Sequence, residues 1–198
     1  SFVIEKGAPG FRTGEIYSKL GARGTVHGEL ILDDVRVPDE ALLGEVGRGF
    51  AQMMHSLDFV RLLTAAHAIG IAQAAFEAAV EHAKTRTSFG QALHRHQTIA
   101  FMGADMAVDL HAARLVTLQA AAQLDAGHPL GTQAAMAKLY ATEMATRVTH
   151  KALQIFGAWG AKKGSIVEQM YREARVTEIW DGTSEIQRLV ISRGIFGR

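Results

Sequence analysis

The chain has 198 residues, 48% hydrophobic and 21% charged, which is the composition of a globular protein and not of a disordered segment. Its 21 Lys and Arg balance 20 Asp and Glu, so a formal net charge of +1 gives no general electrostatic case for nucleic acid. Cysteine is absent, which excludes disulfide frameworks, thiolate metal sites and thiol nucleophiles.

No uninterrupted apolar run approaches the ~20 residues of a membrane span, and no basic-then-apolar leader opens the chain. The expectation is a cytoplasmic protein without a membrane or nucleic-acid partner. Phe2-Val3-Ile4 begins at full β-propensity, as if the chain were cut inside a strand of a longer polypeptide.

Residues 1–46 hold two of the three prolines and short apolar alternations. Strands are predicted at Phe2–Ile4, at Gly28–Leu32 and at Val35–Val37, the last stopped by Pro38. From residue 47 onward the period changes to three and four, through Phe50, Met53, Leu57, Val60, Ile69, Ala72, Phe76 and Val80. A helix from Arg48 to Thr85 would span about 57 Å at 1.5 Å per residue, a length that suggests a bundle. Thr87-Ser88-Phe89-Gly90 ends it. Further helices are predicted at Gln97–Ala126, Thr132–Phe156, Ile166–Thr177 and Ser184–Gly194, separated by Gly127-His128-Pro129 and Gly157-Ala158-Trp159-Gly160. The fold class is mainly α: a long-helix antiparallel bundle of four-helix type over 47–198, preceded by a few strands of a partial β-domain over 1–46.

Two segments combine chemistry-bearing residues. In Arg86-Thr87-Ser88-Phe89-Gly90, Arg86 complements a helix dipole and Gly90 serves as a cap. The same guanidinium beside two hydroxyls also suits a pyrophosphate, with Phe89 as a wall for a ring. In Trp180-Asp181-Gly182-Thr183-Ser184-Glu185-Ile186-Gln187, Ser184 and Gln187 form a capping-box pattern with Asp181 as an outer cap. Asp181 also has the surroundings of a base, an indole that excludes water and a glycine that lets substrate approach. No G-x-G-x-x-G unit or Walker loop occurs, and no His pair at i, i+4 stands beside a carboxylate, so no metal site is predicted.

Taken together, Gly49-Phe50, Arg61, Arg86-x-x-Phe89-Gly90, His96-Gln97, Gln154-Ile155-Phe156-Gly157 and Asp181-Gly182-Thr183-Ser184-Glu185-Ile186-Gln187-Arg188 occur in a characteristic order. In this the chain resembles the C-terminal half of the acyl-CoA dehydrogenase family of flavoproteins. The resemblance implies FAD as cofactor. Arg86, Thr87, Ser88 and Phe89 match the segment at the FAD diphosphate, which reaches across a subunit interface. His96 and Gln97 match a second FAD contact. Gln154, Ile155, Phe156, Gly157 and Ala158 match a third, toward the neighbouring subunit's adenosine. Thr183, Ser184 and Glu185 match the stretch that touches the flavin at a helix start, where exposed N–H groups suit an anion.

Asp58, Phe59, Val60 and Arg61 match a substrate segment, with Arg61 and Arg193 toward the CoA portion of an acyl-CoA. Asp181 falls where many members carry a catalytic glutamate. The family reaction takes the α-proton onto that carboxylate and the β-hydrogen as hydride onto flavin. The backbone N–H of the loop, with Gly182 beside it, binds the thioester carbonyl. A homodimer or homotetramer and an electron-transfer flavoprotein as electron acceptor are further implications.

The chain departs from the family pattern in four places, one of them Ala158-Trp159 in place of part of a glycine-rich stretch at the third FAD contact. Asp181 is one methylene shorter than glutamate, an aspartate shared with nitroalkane oxidase and with dehydrogenases of cyclic carboxyl-CoA esters. Val60 stands where branched- and long-chain members place their base. Trp180 replaces the usual tyrosine. Two alternatives therefore stay open beside the dehydrogenase: a nitroalkane-oxidase-like flavin oxidase using the same aspartate, and a non-catalytic helical oligomerisation module. The resemblance implies that most of the β-domain and an N-terminal helical domain lie outside this chain, so the isolated chain is expected to hold FAD weakly and to be inactive.

Overall fold

A computed structural model describes residues 1–197. It falls into two compact units, Ser1–Leu57 and a second that begins at Asp58. In the first, strand β1 (Phe11–Ile16) pairs antiparallel with β2 (Gly28–Leu32), Phe11 opposite Leu32 and Ile16 opposite Gly28, with a bulge between Thr13 and Ile16. Gly28 lies against the backbone of Glu15 and Ile16 with no space for a Cβ. β2 has the predicted bounds; β1, with Gly14 inside it, was not predicted. Phe2–Ile4 and Val35–Val37 are not strands. Phe2 makes only an isolated bridge to Leu42, with the Leu43 N–H donating to Ser1 O at 2.8 Å. High β-propensity at Phe2-Val3-Ile4 finds no full strand to pair with. Ile16, Leu30 and Leu32 stay exposed, as a two-stranded ribbon has no second layer to bury its face.

The remainder is mainly helical. Helix α1 runs unbroken from Gly49 to Thr85. A two-residue hairpin follows, β3 (Thr87–Ser88) against β4 (Gln91–Ala92). Then come α2 (Gln97–Asp125), α3 (Gly131–Phe156), one turn α4 (Ala158–Ala161), α5 (Ile166–Thr177) and α6 (Ser184–Phe196). α2 and α3 are antiparallel, since Asp105 pairs with Lys151 and Asp109 with Arg147.

One core joins these helices, and it is built largely of alanine. Ala65, Ala68, Ala72, Ala75 and Ala79 of α1, Ala113 of α2, and Ala134, Ala137, Ala141, Ala145 and Ala152 of α3 are all sealed from solvent. Small side chains bring helix axes close, and the larger Met106, Met144, Val148 and Val167 fill the gaps. Each of those contributes about 1.5–3 kcal/mol by burial. By length and mean hydropathy alone α1 is long and apolar enough to cross a membrane, although polar residues interrupt it; half of the apolar window is buried inside the protein. The polar residue that the core does not explain is Lys138, fully buried in the middle of α3.

Candidate functional site

The α5–α6 turn reverses through two consecutive left-handed residues, Asp181 (φ 54°) and Gly182 (φ 96°). Glycine adopts that conformation freely and Asp tolerates it better than most residues. A Cβ on Gly182 would also sit 2.8 Å from the Gln187 amide nitrogen. The chain then enters α6 with Thr183 extended, and the Thr183 hydroxyl accepts from the Ile186 N–H at 3.4 Å. The predicted capping box is therefore displaced by one residue. Ser184 is the first helical residue, its hydroxyl buried without a partner among the described residues. Gln187 turns its amide back onto the Asp181 and Gly182 carbonyls, at 3.3 and 2.8 Å. Asp181 is not an outer cap.

Its carboxylate points to α1 instead, where the buried Thr64 hydroxyl donates to Oδ2 at 2.6 Å. One turn further along α1, the His67 ring lies 5.9 Å from the Trp180 indole, whose N–H is buried and has no partner among the described residues. One turn before, Arg61 is 2% exposed and donates to Asp58 at 2.6 Å. Arg61 thus faces its own helix neighbour. Phe59 is half exposed and Val60 partly buried. From below, Lys138 Nζ donates to Gly182 O at 2.7 Å and to Glu178 O at 3.2 Å. Burial pushes this lysine down to about 8, opposed by the charges of Asp181 and Glu178.

Glu185 folds back on the helix start. A hydrogen bond from its own backbone N–H, and then one from Thr183, hold its carboxyl below the usual carboxylate range. Two N–H groups of α6's first turn thus already have partners inside the chain, leaving less free donor capacity for an anion than the sequence suggests. Arg193 lies over two turns along α6, away from the Asp181 turn; the adjacent Gly194 packs on Thr132, and Asp58 lies over Gly131. The first turn of α3 is their common neighbour.

A second cluster sits at the other end of α1. A hollow of about 550 Å³ is lined by His82, Arg86, Phe156, Trp159, Lys162 and Lys163. His82 stacks on Phe156 with ring centroids 4.2 Å apart, and Lys162 lies over the Trp159 ring. Burial first, and then the Arg86 charge, lower the His82 pKa. Of the residues predicted here, Arg86 and Phe156 meet in this hollow. Ile155 is a core residue, so only its backbone is open to a ligand. Gln154, Gly157 and Ala158 are exposed beside it.

His96 clasps the hairpin, one ring nitrogen 3.1 Å from Ser88 O and the other 3.2 Å from the Gln91 amide, with Phe89 edge-on to the ring. Thr87 and Gln97 are exposed. Phe89 is almost wholly exposed at the hairpin tip.

Sequence reasoning missed Thr64, His82, Lys138, Lys162 and Lys163. Lys138 had a visible signal. It occupies the apolar stripe Ala134, Ala141, Ala145, Val148, Ala152 at three- and four-residue spacing, as its one cation.

The helical bundle over residues 47–196 is the fold of a known type of C-terminal domain. Residues 47–196 match the family model "Acyl-CoA dehydrogenase, C-terminal domain", and the chain belongs to the acyl-CoA dehydrogenase family. Among relatives, it is 47% identical to the mitochondrial short-chain specific acyl-CoA dehydrogenase of Bos taurus, over 97% of this chain and 47% of that one. Butyryl-CoA dehydrogenase from Megasphaera elsdenii superposes on all of it with a TM-score of 0.96 and 42% identity, using 51% of its own chain. A chain in the structure described as electron transferring flavoprotein of Acidaminococcus fermentans superposes with a TM-score of 0.97 and 42% identity, over 100% of this chain and 52% of that one. The chain spans about half the length of the curated relatives it matches.

Proposed function

We propose that this chain is the C-terminal part of an FAD-dependent acyl-CoA dehydrogenase acting on short acyl chains, with Asp181 as the base. The observation that carries the reading is the Asp181 carboxylate, fixed by Thr64 on a turn whose flanking carbonyls are held from beneath. A base needs a fixed position more than it needs exposure, because misplacement by 1 Å costs up to about 10²-fold in rate. Asp181 takes the α-proton of the thioester. The N–H of the same turn donates to the thioester carbonyl and stabilises the negative charge that develops there. FAD held by the chain's cofactor residues would supply the hydride-accepting chemistry for the β-hydrogen, the product being a 2-enoyl-CoA.

The hollow at the far end of α1 has a donor set that fits the adenosine diphosphate portion of FAD. Arg86, Lys162 and Lys163 supply positive charge and Phe156 and Trp159 supply ring faces. A short-chain substrate is supported by likeness to the short-chain specific and butyryl-CoA enzymes. An electron-transfer flavoprotein as acceptor, and a homo-oligomer, complete the reading.

The test is anaerobic flavin reduction by butyryl-CoA in the full-length, flavin-loaded protein of which this chain is the C-terminal part. Asp181→Asn is expected to slow it by about 10²–10⁴-fold; unaltered reduction rejects Asp181 as base. Oxygen consumption with a nitroalkane and no electron acceptor would favour the oxidase alternative, and no reduction by either substrate would favour a non-catalytic module.

A further inference from the structure

Lys138 is a lysine without access to solvent, placed by α3 directly under the Asp181 turn. It reaches one carbonyl on each side of the acid, Glu178 O and Gly182 O, and so spans the whole reversal. Gly182 O receives two donors, Lys138 Nζ at 2.7 Å and Gln187 Nε2 at 2.8 Å, which engages both its lone pairs. Gln187 belongs to α6 and moves with the turn. Lys138 is the anchor that ties the turn to the bundle. A neutral amide in its place would satisfy the carbonyls without burying a charge, and burial of an ammonium is costly unless the geometry repays it. Between the two anchored carbonyls, Asp181 holds a left-handed backbone that a non-glycine residue keeps only where its surroundings enforce it.

We propose that Lys138 is a positioning residue for the proposed dehydrogenation: its buried ammonium locks the 178–182 turn so that the Asp181 carboxylate stays on Thr64, in line with the substrate. The proposal rests on the reading of Asp181 as the base. The charged groups facing Lys138 are Glu178 and Asp181 on the turn, Arg61 on α1 with its partner Asp58, and Glu185 on α6. Burial leaves the ammonium protonated below about pH 8 and neutral above it, so the clamp weakens as pH rises through that value.

The experiment compares the wild type with Lys138→Met and Lys138→Arg in the full-length, flavin-loaded protein between pH 6.5 and 9.5, with kcat and KM for butyryl-CoA as one readout. Amide hydrogen exchange of residues 179–184, corrected for intrinsic rates, is the other readout. Lys138→Met is expected to lower kcat about tenfold or more with KM nearly unchanged, and to expose the turn's amides while the rest of the bundle stays protected. The wild type is expected to lose kcat and turn protection above about pH 8. Lys138→Arg, whose guanidinium does not titrate there, is expected to keep both at alkaline pH.

Wild-type kcat in Lys138→Met overturns the proposal. So does a loss of protection spread evenly over the bundle, which marks a purely structural lysine. If Lys138→Met does not fold, the wild type and Lys138→Arg decide: identical alkaline profiles overturn it. A protein that reduces no flavin with any acyl thioester sinks the dehydrogenase reading, whereas unchanged turn protection in Lys138→Met sinks the clamp.

Discussion

Asp181 and Thr64 act as a matched pair of short side chains. An aspartate reaches less far than a glutamate, and the hydroxyl that meets it comes from the buried face of α1, at 2.6 Å. Thr64 is 5% exposed, so water does not replace that hydroxyl when it is removed. Thr64→Val keeps the shape and deletes the donor. It is expected to slow flavin reduction about fivefold, corresponding to the ~1 kcal/mol of a typical hydrogen bond, with little change in thermal stability. In Asp181→Glu the longer side chain no longer stops at Thr64, and adding Thr64→Val should then have almost no effect. Rates for the four proteins of this cycle, measured by stopped-flow flavin reduction, give the coupling directly. Equal slowing by Thr64→Val in both backgrounds would place Thr64 outside the pair.

At the scale of elements, the hairpin between α1 and α2 shows what local pattern reveals and what it hides. Arg86-Thr87-Ser88-Phe89-Gly90 reads as a helix stop because Gly90 cannot sustain the helical period. That Phe89 takes φ 49° beside Gly90 at 79°, making a two-residue turn of the left-handed type, is not in the pattern, since Phe is a poor residue for that conformation. Helix ends at Thr85, Phe156 and Thr177 were legible for the same reason as the stop: periodicity ends and glycine or polar residues follow. β1 and the Phe2–Leu42 bridge were not, because strand pairing joins residues far apart in sequence.

The α6 cap was misread by one residue because Thr183 and Ser184 both offer a hydroxyl, and only the backbone set by Asp181 and Gly182 decides between them. Thr64 and the lysines of the cationic hollow carry no local signal at all; their roles arise from helices meeting. Phe89→Asn tests the strain in the hairpin. It is expected to raise stability by about 1 kcal/mol by relieving the left-handed penalty, read as a higher urea midpoint. It should also weaken FAD binding by removing an exposed ring. Loss of stability would show that Phe89 is held by packing and not under strain.

At the scale of the whole molecule, the two candidate clusters lie too far apart to serve one cofactor within one chain. Thr64, which holds Asp181, and Thr85, which precedes Arg86, are separated by 21 residues of one helix, about 32 Å at 1.5 Å per residue. In FAD the diphosphate and the redox ring are joined by a ribityl chain far shorter than that. If Arg86 holds the diphosphate while Asp181 faces the ring, the two must come from different copies of the chain. Every complete site then takes Arg86 from one subunit and Asp181 from another.

This has a consequence that no property of a single chain can mimic. Arg86→Glu and Asp181→Asn proteins, each impaired alone, are co-expressed in equal amounts and allowed to assemble at random. About one site in four then combines an intact Arg86 with an intact Asp181, and activity should recover to roughly a quarter of the wild type. Were both residues to act on the same cofactor from within one chain, no mixed assembly would contain an intact site, and activity would stay at or below the mean of the two parents. Recovery that vanishes when the two proteins are mixed after separate purification, and returns after they are unfolded and refolded together, would fix the exchange of subunits as its source.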